Sequence, residues 1–338
     1  MYSSNWLAVL VLCHVAAVAH AHPDTCNLSQ PVPTVRQVET TTYYSDSHSS
    51  IIDPAKKQQN ERDVSEIDVT AVEVAKLANE YSLGNRCSGE QALRILDAWA
   101  SAKSMTPAIG FQGNVTAMLY GMSFVSSFAQ ISPLCLKREE CDRIKAWLIN
   151  LSHNGLIFFN TGARKRNNLS YWSSAFAVYT GRFADDPKLI DRGKSGLMRG
   201  FSDIGPNGFS LENSRGRRAL FYNAYAFTAL TWGAAAVSRE WLLARAAENP
   251  NVSLLERRLE DYSHGNYDQS LYPTPQELVH FPYWRLPWTV ATATSAKDVC
   301  EDMDPNLKHK VLGGRTDLML SRIWDLDVTD CRQAPRQP

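Results

Sequence analysis

Apolar residues recur at three- and four-residue spacing along most of the chain after residue 65, which is the period of one helix face. This pattern predicts helices over residues 69–81, 89–105, 114–131, 138–159, 170–183, 187–204 and 217–238. Strand bias is confined to a short stretch, "HPDTCNLSQPVPTVRQVETTTYY", near the N-terminus. The chain is therefore predicted to be nearly all-α, built of antiparallel helical hairpins.

The first residues have the composition of a targeting segment. The run "WLAVLVLCHVAAVAHA" is apolar, ends in an Ala-x-Ala-like cleavage site, and is too short to span a membrane. We expect a signal peptide over residues 1–21, cleaved near Ala21, and export to the periplasm or the extracellular space. Residues 22–65 are polar and irregular and predict an extended arm, residues 66–325 the helical domain, and residues 326–338 a tail.

Cysteine usage agrees with export. Of seven cysteines, Cys13 would leave with the signal, and the others are Cys26, Cys87, Cys135, Cys141, Cys300 and Cys331. An even number in an exported chain suggests up to three disulfides, and the short spacing makes Cys135–Cys141 the first expected pair. No Cys-x-x-Cys pair or Cys/His spacing occurs, so neither a zinc site nor another cofactor is expected.

The net charge of the chain limits the kinds of partner that it can attract as a whole. The 35 basic and 35 acidic residues cancel, so general attraction to nucleic acid is not expected and any positive site must be local. Apart from the signal segment, no stretch predicts a membrane span, and we expect a monomer. Glycosylation sequons begin at Asn27, Asn114, Asn150, Asn168 and Asn251.

Two segments carry candidate chemistry. "RKRNNLSYWSS" (164–174) places cations and amides beside two aromatic rings, and "ENSRGRRALFYNAYAF" (212–227) follows. If residues 217–238 are helical, Arg218, Tyr222 and Tyr225 share one face. Guanidinium forks and amides suit a sugar that bears a carboxylate. The alternatives are structural: a tyrosine packing face with an arginine reaching solvent, and an Asn-Asn helix cap.

The same residues resemble a known family. "NNLSYW" resembles the Asn-Asn-His-Ser-Tyr-Trp signature of the mannuronate-specific alginate lyases, the family-5 polysaccharide lyases. "RRALFYNAYAFTAL" is similar to that family's Arg-Ala-Leu-x-Tyr-x-x-Tyr-Ala segment, and weaker likeness extends over residues 43–320. The resemblance implies an incomplete α/α toroid with a deep groove. It also implies metal-free β-elimination at the 4-O-linkage of a polyuronate, so the expected partner is an anionic polysaccharide.

The resemblance assigns roles to matching positions. Asn168 would bind the substrate carboxylate, Arg218 would help neutralise it, and Tyr225 would be the catalytic phenol. We expect Arg217 and Arg218 to lower the pKa of Tyr225, because nearby cations favour a phenolate. The further candidate contacts with substrate are Lys165, Asn167, Tyr171, Trp172, Arg217 and Tyr222.

Leu169 occupies the position of the family's histidine. One reading is that Tyr225 acts alone, which restricts the enzyme to same-side elimination of mannuronate or glucuronate. A second is that another histidine enters the groove, the candidates being His48, His153, His264 and His280. A third is a non-catalytic protein that only binds uronate polysaccharides. A glycan on Asn168 would block such a groove.

Overall fold

The computed structural model describes residue 26 and residues 32–162, 166–293 and 303–326, and most of this part is helical. The α-helices are α1 (Pro54–Ser82), α2 (Arg86–Ser101), α3 (Gly110–Ile131), α4 (Glu139–Phe159), α5 (Asn168–Phe183), α6 (Pro187–Ser202), α7 (Ser210–Asn213), α8 (Ala219–Val237), α9 (Arg239–Glu248), α10 (Asn251–Ser263), α11 (Arg285–Thr292) and α12 (Thr316–Trp324). One-turn 3-10 helices cover Ser132–Cys135, Gly216–Arg218, Gln269–Leu271 and Lys310–Leu312. The all-α prediction is confirmed.

The strands of the described residues form two-residue ladders. The first pairs β1 (Val38–Glu39) in parallel with β2 (Ala108–Ile109), which fixes the arm to the start of α3. The antiparallel ladders pair β3 (Ile204–Gly205) with β4 (Gly208–Phe209), and β5 (Lys308–His309) with β6 (Gly314–Arg315). Each ladder pins a loop beside a helix end, and none forms a layer of the core.

Helix α1 begins earlier than its apolar pattern indicates. The side chain of Asp53 accepts hydrogen bonds from the backbone N–H groups of Ala55 and Lys56, and Pro54 occupies the first helical position. Both features favour helix initiation. Residues 54–65, predicted as part of the extended arm, are therefore helical. Their apolar period is missing because this end of the helix is largely exposed.

Helices α5 and α8 form the centre of the molecule. Both are buried on nearly every side, and α5 packs against α3, α4, α6 and α8. This central position explains why their sequences are apolar on most faces. The N-terminal ends of α3, α5 and α8 meet at one cavity, which receives Gln112, Asn168 and Tyr225 from these helices.

Two disulfides lie in the described residues. Cys135–Cys141 closes the short loop before α4, which confirms the expected pair, and Cys26–Cys87 ties the arm to α2. The predicted signal peptide, Cys300 and Cys331 lie outside the described residues. Within the described part of the chain, no helix has both the length and the apolar character needed to cross a membrane.

Close approach of α5 and α6 depends on Gly193. A Cβ atom there would lie 2.7 Å from the carbonyl oxygen of Ser174 and 2.7 Å from Val178 Cγ2. We expect Gly193→Ala to lower the free energy of unfolding by about 1–3 kcal/mol, because overpacking displaces a backbone. Urea titration followed by circular dichroism measures this.

The matched control is Gly155→Ala in α4, where the nearest atom to an added Cβ is Met118 Cγ at 3.7 Å. That change should be neutral, or stabilise by about 0.4–1 kcal/mol through a less flexible unfolded chain. Equal destabilisation by both substitutions would show that the close approach of α5 and α6 is not what excludes a side chain at position 193.

Candidate active site

A cavity of about 210 Å³ opens where α3, α5 and α8 begin. Residues from the arm, from these three helices and from the segments just before α5 and α8 line it: Thr42, Tyr43, Tyr44, Ser49, Phe111, Gln112, Val115, Leu119, Asn167, Asn168, Leu169, Arg215, Phe221, Tyr222 and Tyr225. A neighbouring cavity of about 580 Å³ shares Tyr43, Gln112, Val115 and Leu119 with it. The two cavities therefore adjoin along these four residues, and together they are called the groove.

The two asparagines at the start of α5 have different tasks. Asn167 is the N-cap residue, and its side-chain oxygen accepts a hydrogen bond from the backbone N–H of Ser170 at 3.1 Å. The capping alternative is therefore correct for Asn167, although this residue also lines the cavity. Asn168 is only 2% exposed, and its Nδ2 atom donates to Glu212 Oε1 at 2.9 Å.

Glu212 is a fully buried carboxylate that holds this corner of the site together. Its Oε1 atom also accepts the backbone N–H of Asn168 at 2.8 Å, and its Oε2 atom lies 3.2 Å from Arg215 Nε. Arg215 in turn donates to the backbone oxygen of His48, at 3.2 Å. Sequence reasoning missed Glu212, for which the only signal was an acid three residues before Arg215.

Phenol groups from the arm and from α8 form a second network. The hydroxyl of Tyr44 lies 2.6 Å from Arg218 Nη1 and 2.6 Å from the hydroxyl of Tyr222. Burial raises the pKa of Tyr44 and of Tyr222 above the ordinary value, and the nearby Arg218 opposes this only in part. At neutral pH both phenols therefore keep their protons. Tyr222 donates its proton to Tyr44, and Tyr44 donates to the hydroxyl of Tyr43 at 3.3 Å, which leaves the Tyr43 proton for the cavity.

Tyr225 faces the cavity from within an aromatic cluster. Its ring centroid lies 5.1 Å from that of Trp172, 5.7 Å from Phe281 and 5.9 Å from Phe221. Burial among these rings raises the pKa of Tyr225 well above its ordinary value. The expectation that Arg217 and Arg218 lower this pKa is therefore wrong.

The reason lies in what the two arginines contact. Arg218 is buried against Tyr44 and Tyr222, and its Nε atom lies 3.7 Å from Glu277 Oε2. The side chain of Arg217 is 62% exposed, sits 3.7 Å from the same carboxylate, and does not line the cavity. Both positive charges thus have an acidic neighbour and neither contacts Tyr225.

Two predicted contact residues lie behind the cavity instead of at its surface. Tyr171 and Trp172 are fully buried in α5, and the Tyr171 hydroxyl donates to Asp203 at 3.0 Å. Because α5 is the central helix, its side chains beyond the first turn face core on every side. Trp172 therefore supports Tyr225, and the expectation that these two rings contact the substrate needs this correction. Lys165 lies outside the described residues.

Leu169 forms part of the cavity wall, and among the described lining residues there is no histidine. His48, His153, His264 and His280 are thus not part of this wall. A different histidine, His309, packs 4.3 Å from Tyr283 and parallel to Trp172. Burial, together with Lys310, lowers the pKa of His309 to about 3. Sequence reasoning missed this ring, because only the fold brings β5 against α5.

Comparison with known proteins decides the family. The sequence profile of the alginate lyase family matches residues 31–259, which is most of the chain and includes both motif segments. The chain belongs to the alginate lyase family. It is thus a polysaccharide lyase, and it is 28% identical over 242 residues to a "Polysaccharide lyase" of Stenotrophomonas maltophilia (strain K279a), covering 68% of this chain and 71% of that protein.

Solved structures agree on the architecture of this alginate lyase family member. Alginate lyase A1-III from Sphingomonas species A1 covers 87% of this chain and 86% of its own, with a TM-score of 0.62 and 18% identity. A variant of A1-III complexed with a tetrasaccharide reaches a TM-score of 0.69 at 19% identity, covering 86% of this chain and 85% of its own. The incomplete α/α toroid predicted from the sequence is confirmed.

The buried carboxylate of Glu212 gives a direct test of how this family member holds Asn168. In Glu212→Gln, one amide N–H group would face a donor of Asn168 or Arg215 and leave it unpaired. We expect the free energy of unfolding to fall by about 1–3 kcal/mol, the cost of an unsatisfied buried polar group. The midpoint of urea unfolding reports it.

Glu66→Gln is the control, because Glu66 is an exposed glutamate in the interior of α1. Its replacement should change the unfolding free energy by less than about 0.5 kcal/mol. If Glu212→Gln lowered the free energy of unfolding as little as this control, the hydrogen bonds to Glu212 would contribute little to stability.

Proposed function

We propose that this protein is an exported lyase that cleaves a 4-O-linked polyuronate, most readily mannuronate-rich alginate, by β-elimination. The observation that carries the proposal is the placement of Asn168 and Tyr225 on one cavity wall. The tetrasaccharide complexes of A1-III, in which the same architecture holds an oligosaccharide, support a polysaccharide ligand. Within the family, the proposal adds the uronate preference, the residue roles, export after cleavage near Ala21 and a monomeric state.

Neutral hydrogen-bond donors and helix N-termini are proposed to bind the substrate carboxylate. Three helices begin at the cavity, and the N-terminal end of a helix carries partial positive charge. Asn168 is held in place by Glu212 and offers its second amide hydrogen to the uronate. The Tyr43 hydroxyl accepts a hydrogen bond from Tyr44, and burial raises the pKa of Tyr43, so its own proton is retained and can be donated as well. Arg218 acts through Tyr44, whose hydroxyl it contacts, and so polarises the network from behind. Such donors stabilise the charge that develops as the C5 proton leaves.

Tyr225 is proposed to move the proton in both directions. As a phenolate it takes the proton from C5. The electrons of the C5–H bond then form the C4=C5 double bond as the C4–O4 bond breaks, and the phenol returns the proton to O4. In β-linked mannuronate these two groups leave from the same side, so one residue can serve both steps. Leu169 cannot exchange protons, so guluronate, with C5 inverted, is disfavoured and a glucuronan remains an alternative substrate.

A second candidate function is binding without turnover. Two observations favour it: Leu169 lines the cavity where the family's histidine is expected, and burial disfavours the phenolate of Tyr225. A protein of this kind would hold uronate oligosaccharides in the same groove. It would release no unsaturated product.

Glycosylation at Asn168 is incompatible with the folded arrangement. This side chain is buried and donates to Glu212, which leaves no path for an attached sugar. Asn150, by contrast, is an accessible sequon asparagine on the exposed face of α4. We propose that any N-glycan lies at such surface positions and leaves the groove open.

Replacement of Tyr225 tests the proposed chemistry. We expect Tyr225→Phe to lower kcat on polymannuronate by about 100-fold or more, because general acid–base catalysis contributes a factor of that size. Absorbance of the unsaturated product measures the rate, and circular dichroism checks the fold.

Tyr179→Phe is the matched control, since Tyr179 is fully buried in α5 and its hydroxyl has no hydrogen-bond partner within the described residues. Full activity of Tyr225→Phe would show that the Tyr225 hydroxyl is not the catalytic base and acid. An absence of product from polymannuronate, polyguluronate and glucuronan alike would reject the lyase proposal in favour of binding alone.

The raised pKa of Tyr225 also predicts a pH profile. Only the phenolate can take the C5 proton, and its fraction below the pKa grows about tenfold per pH unit. We therefore expect kcat/KM on polymannuronate to rise steadily from pH 7 to pH 9. Initial rates in buffers of constant ionic strength measure this, and a flat profile over that range would exclude Tyr225 as a base with a raised pKa.

A further inference from the structure

The solvent-facing side of α6 carries a row of cations outside the groove. Lys188, Arg192 and Arg199 are separated by four and seven residues, so they lie on one face of the helix. The row spans about 16 Å along the helix axis, because each residue of an α-helix adds about 1.5 Å. Arg166, in the segment before α5, lines one cavity together with Arg199 and so extends the row. We call Arg166, Lys188, Arg192 and Arg199 the basic face.

A cavity of about 300 Å³ lies at one end of the basic face. Its lining residues are Arg166, Ser195, Met198, Arg199, Ser202 and Asp203. None of them lines either part of the groove, so this cavity is a separate site. Ser195 and Ser202 each donate a hydroxyl proton to a backbone oxygen of α6 at 3.0 Å. Their hydroxyl oxygens therefore remain to accept hydrogen bonds from a ligand.

The guanidinium of Arg199 is held in position and still has donors to offer. Its Nη2 atom donates to Asn160 Oδ1 at 2.7 Å, and its Nη1 atom donates to the backbone oxygen of Ser195 at 3.2 Å. Each of these nitrogens carries a second hydrogen, and the Nε atom has no partner in the described part of the chain. A guanidinium fixed in this way loses little freedom when it binds a carboxylate.

Arg192 contacts a second base instead of an acid. Its Nη1 atom lies 2.6 Å from Nε2 of His153, which is exposed on α4. Among the described residues, neither Arg192 nor Lys188 has a carboxylate within ion-pair distance. Their positive charges are therefore available to an anion from solution.

Two carboxylates lie near the four cations of the basic face. Asp191 is exposed on α6. Asp203 already accepts a hydrogen bond from the Tyr171 hydroxyl at 3.0 Å and pairs with Arg166 at 3.2 Å. The four cations therefore outnumber the acidic groups beside them, and the face keeps an excess of positive charge although the net charge of the chain is zero.

We propose that the basic face is a second, non-catalytic binding site for a polyuronate chain, whose successive carboxylates contact the cations along α6. The serine hydroxyl oxygens of the cavity match the hydroxyl groups of the sugars. No aromatic ring lines this cavity among the described residues, which disfavours a nucleic acid, because unpaired bases bind by stacking on rings. The inference rests on the polyuronate ligand of the proposed function, but not on the catalytic roles proposed in the groove.

The basic face and the groove adjoin at the start of α5, since Arg166 directly precedes Asn167, which lines the groove. A long chain held by the basic face keeps its other sugars close to the protein, so its binding in the groove becomes partly intramolecular. The basic face should therefore lower the KM for long chains. It should not affect cleavage of an oligosaccharide that is too short to extend along α6.

The experiment uses the double variant Lys188→Gln/Arg192→Gln, which removes two exposed cations far along α6 from the groove. We expect the KM for long-chain polymannuronate at low ionic strength to rise about fivefold or more, the order of effect of losing two exposed ionic contacts. The kcat on this polymer and the kcat/KM on trimannuronate should keep their wild-type values. Added salt should reduce the difference in KM, because exposed charges are screened.

The matched control is Lys76→Gln/Arg86→Gln, which also removes one lysine and one arginine. These side chains are 62% and 75% exposed on α1 and α2, and they line neither the groove nor the cavity of the basic face. This variant should keep the wild-type KM. Circular dichroism checks that both double variants fold.

The outcomes separate this inference from the proposed function. Equal KM values for the two double variants would overturn the inference while the lyase proposal stands. A fall in kcat/KM on trimannuronate in Lys188→Gln/Arg192→Gln would also overturn it, because the substitutions would then act through the groove. A greater loss of binding to DNA than to polymannuronate would overturn the assignment of the face to a polyuronate.

If the wild-type protein cleaves no polymer, the lyase proposal fails and calorimetry with intact polymannuronate tests the basic face directly. A Kd about fivefold higher for Lys188→Gln/Arg192→Gln than for the control variant upholds the inference. Equal Kd values overturn it.

Discussion

The arrangement of the groove depends on one buried carboxylate. Glu212 accepts both the backbone and side-chain N–H groups of Asn168, which fixes where α5 begins. It also pairs with Arg215, which donates to the backbone of His48 and so ties the arm to the loop before α8. A buried charge without partners is strongly unfavourable, so these three contacts must form together. The position of Asn168 and the closeness of the arm are thus set by the same interaction.

Around this carboxylate, different segments contribute different kinds of side chain to the groove. The arm contributes phenols, of which Tyr44 joins Arg218 to Tyr222 through 2.6 Å hydrogen bonds. Helix α3 contributes apolar side chains and the amide of Gln112. The guanidinium groups nearest the cavity are neutralised by Glu212 and Glu277. In the proposed lyase, recognition of the substrate carboxylate therefore falls to neutral donors and helix N-termini.

The aromatic cluster has two opposing effects on Tyr225. Trp172, Phe221 and Phe281 hold the ring of Tyr225 in one orientation. Burial among the same rings raises the pKa of the phenol, which makes the phenolate scarce. Positioning and basicity thus oppose each other at Tyr225. Leu169, which lines the same cavity, cannot exchange protons and adds apolar surface.

The sequence by itself determined the helices, the class of fold and the family. Periodicity locates α2 to α6 and α8 because their buried faces repeat along the chain, and the two motif segments point to Asn168 and Tyr225. It misplaced the start of α1, since an exposed helix end has no apolar period. Only the tertiary structure decided which side chains meet: it put Trp172 behind the cavity, directed Arg218 to Tyr44, and brought Glu212 against Asn168. Those contacts join residues 44 to 174 positions apart, and local sequence patterns carry no information about packing across such separations.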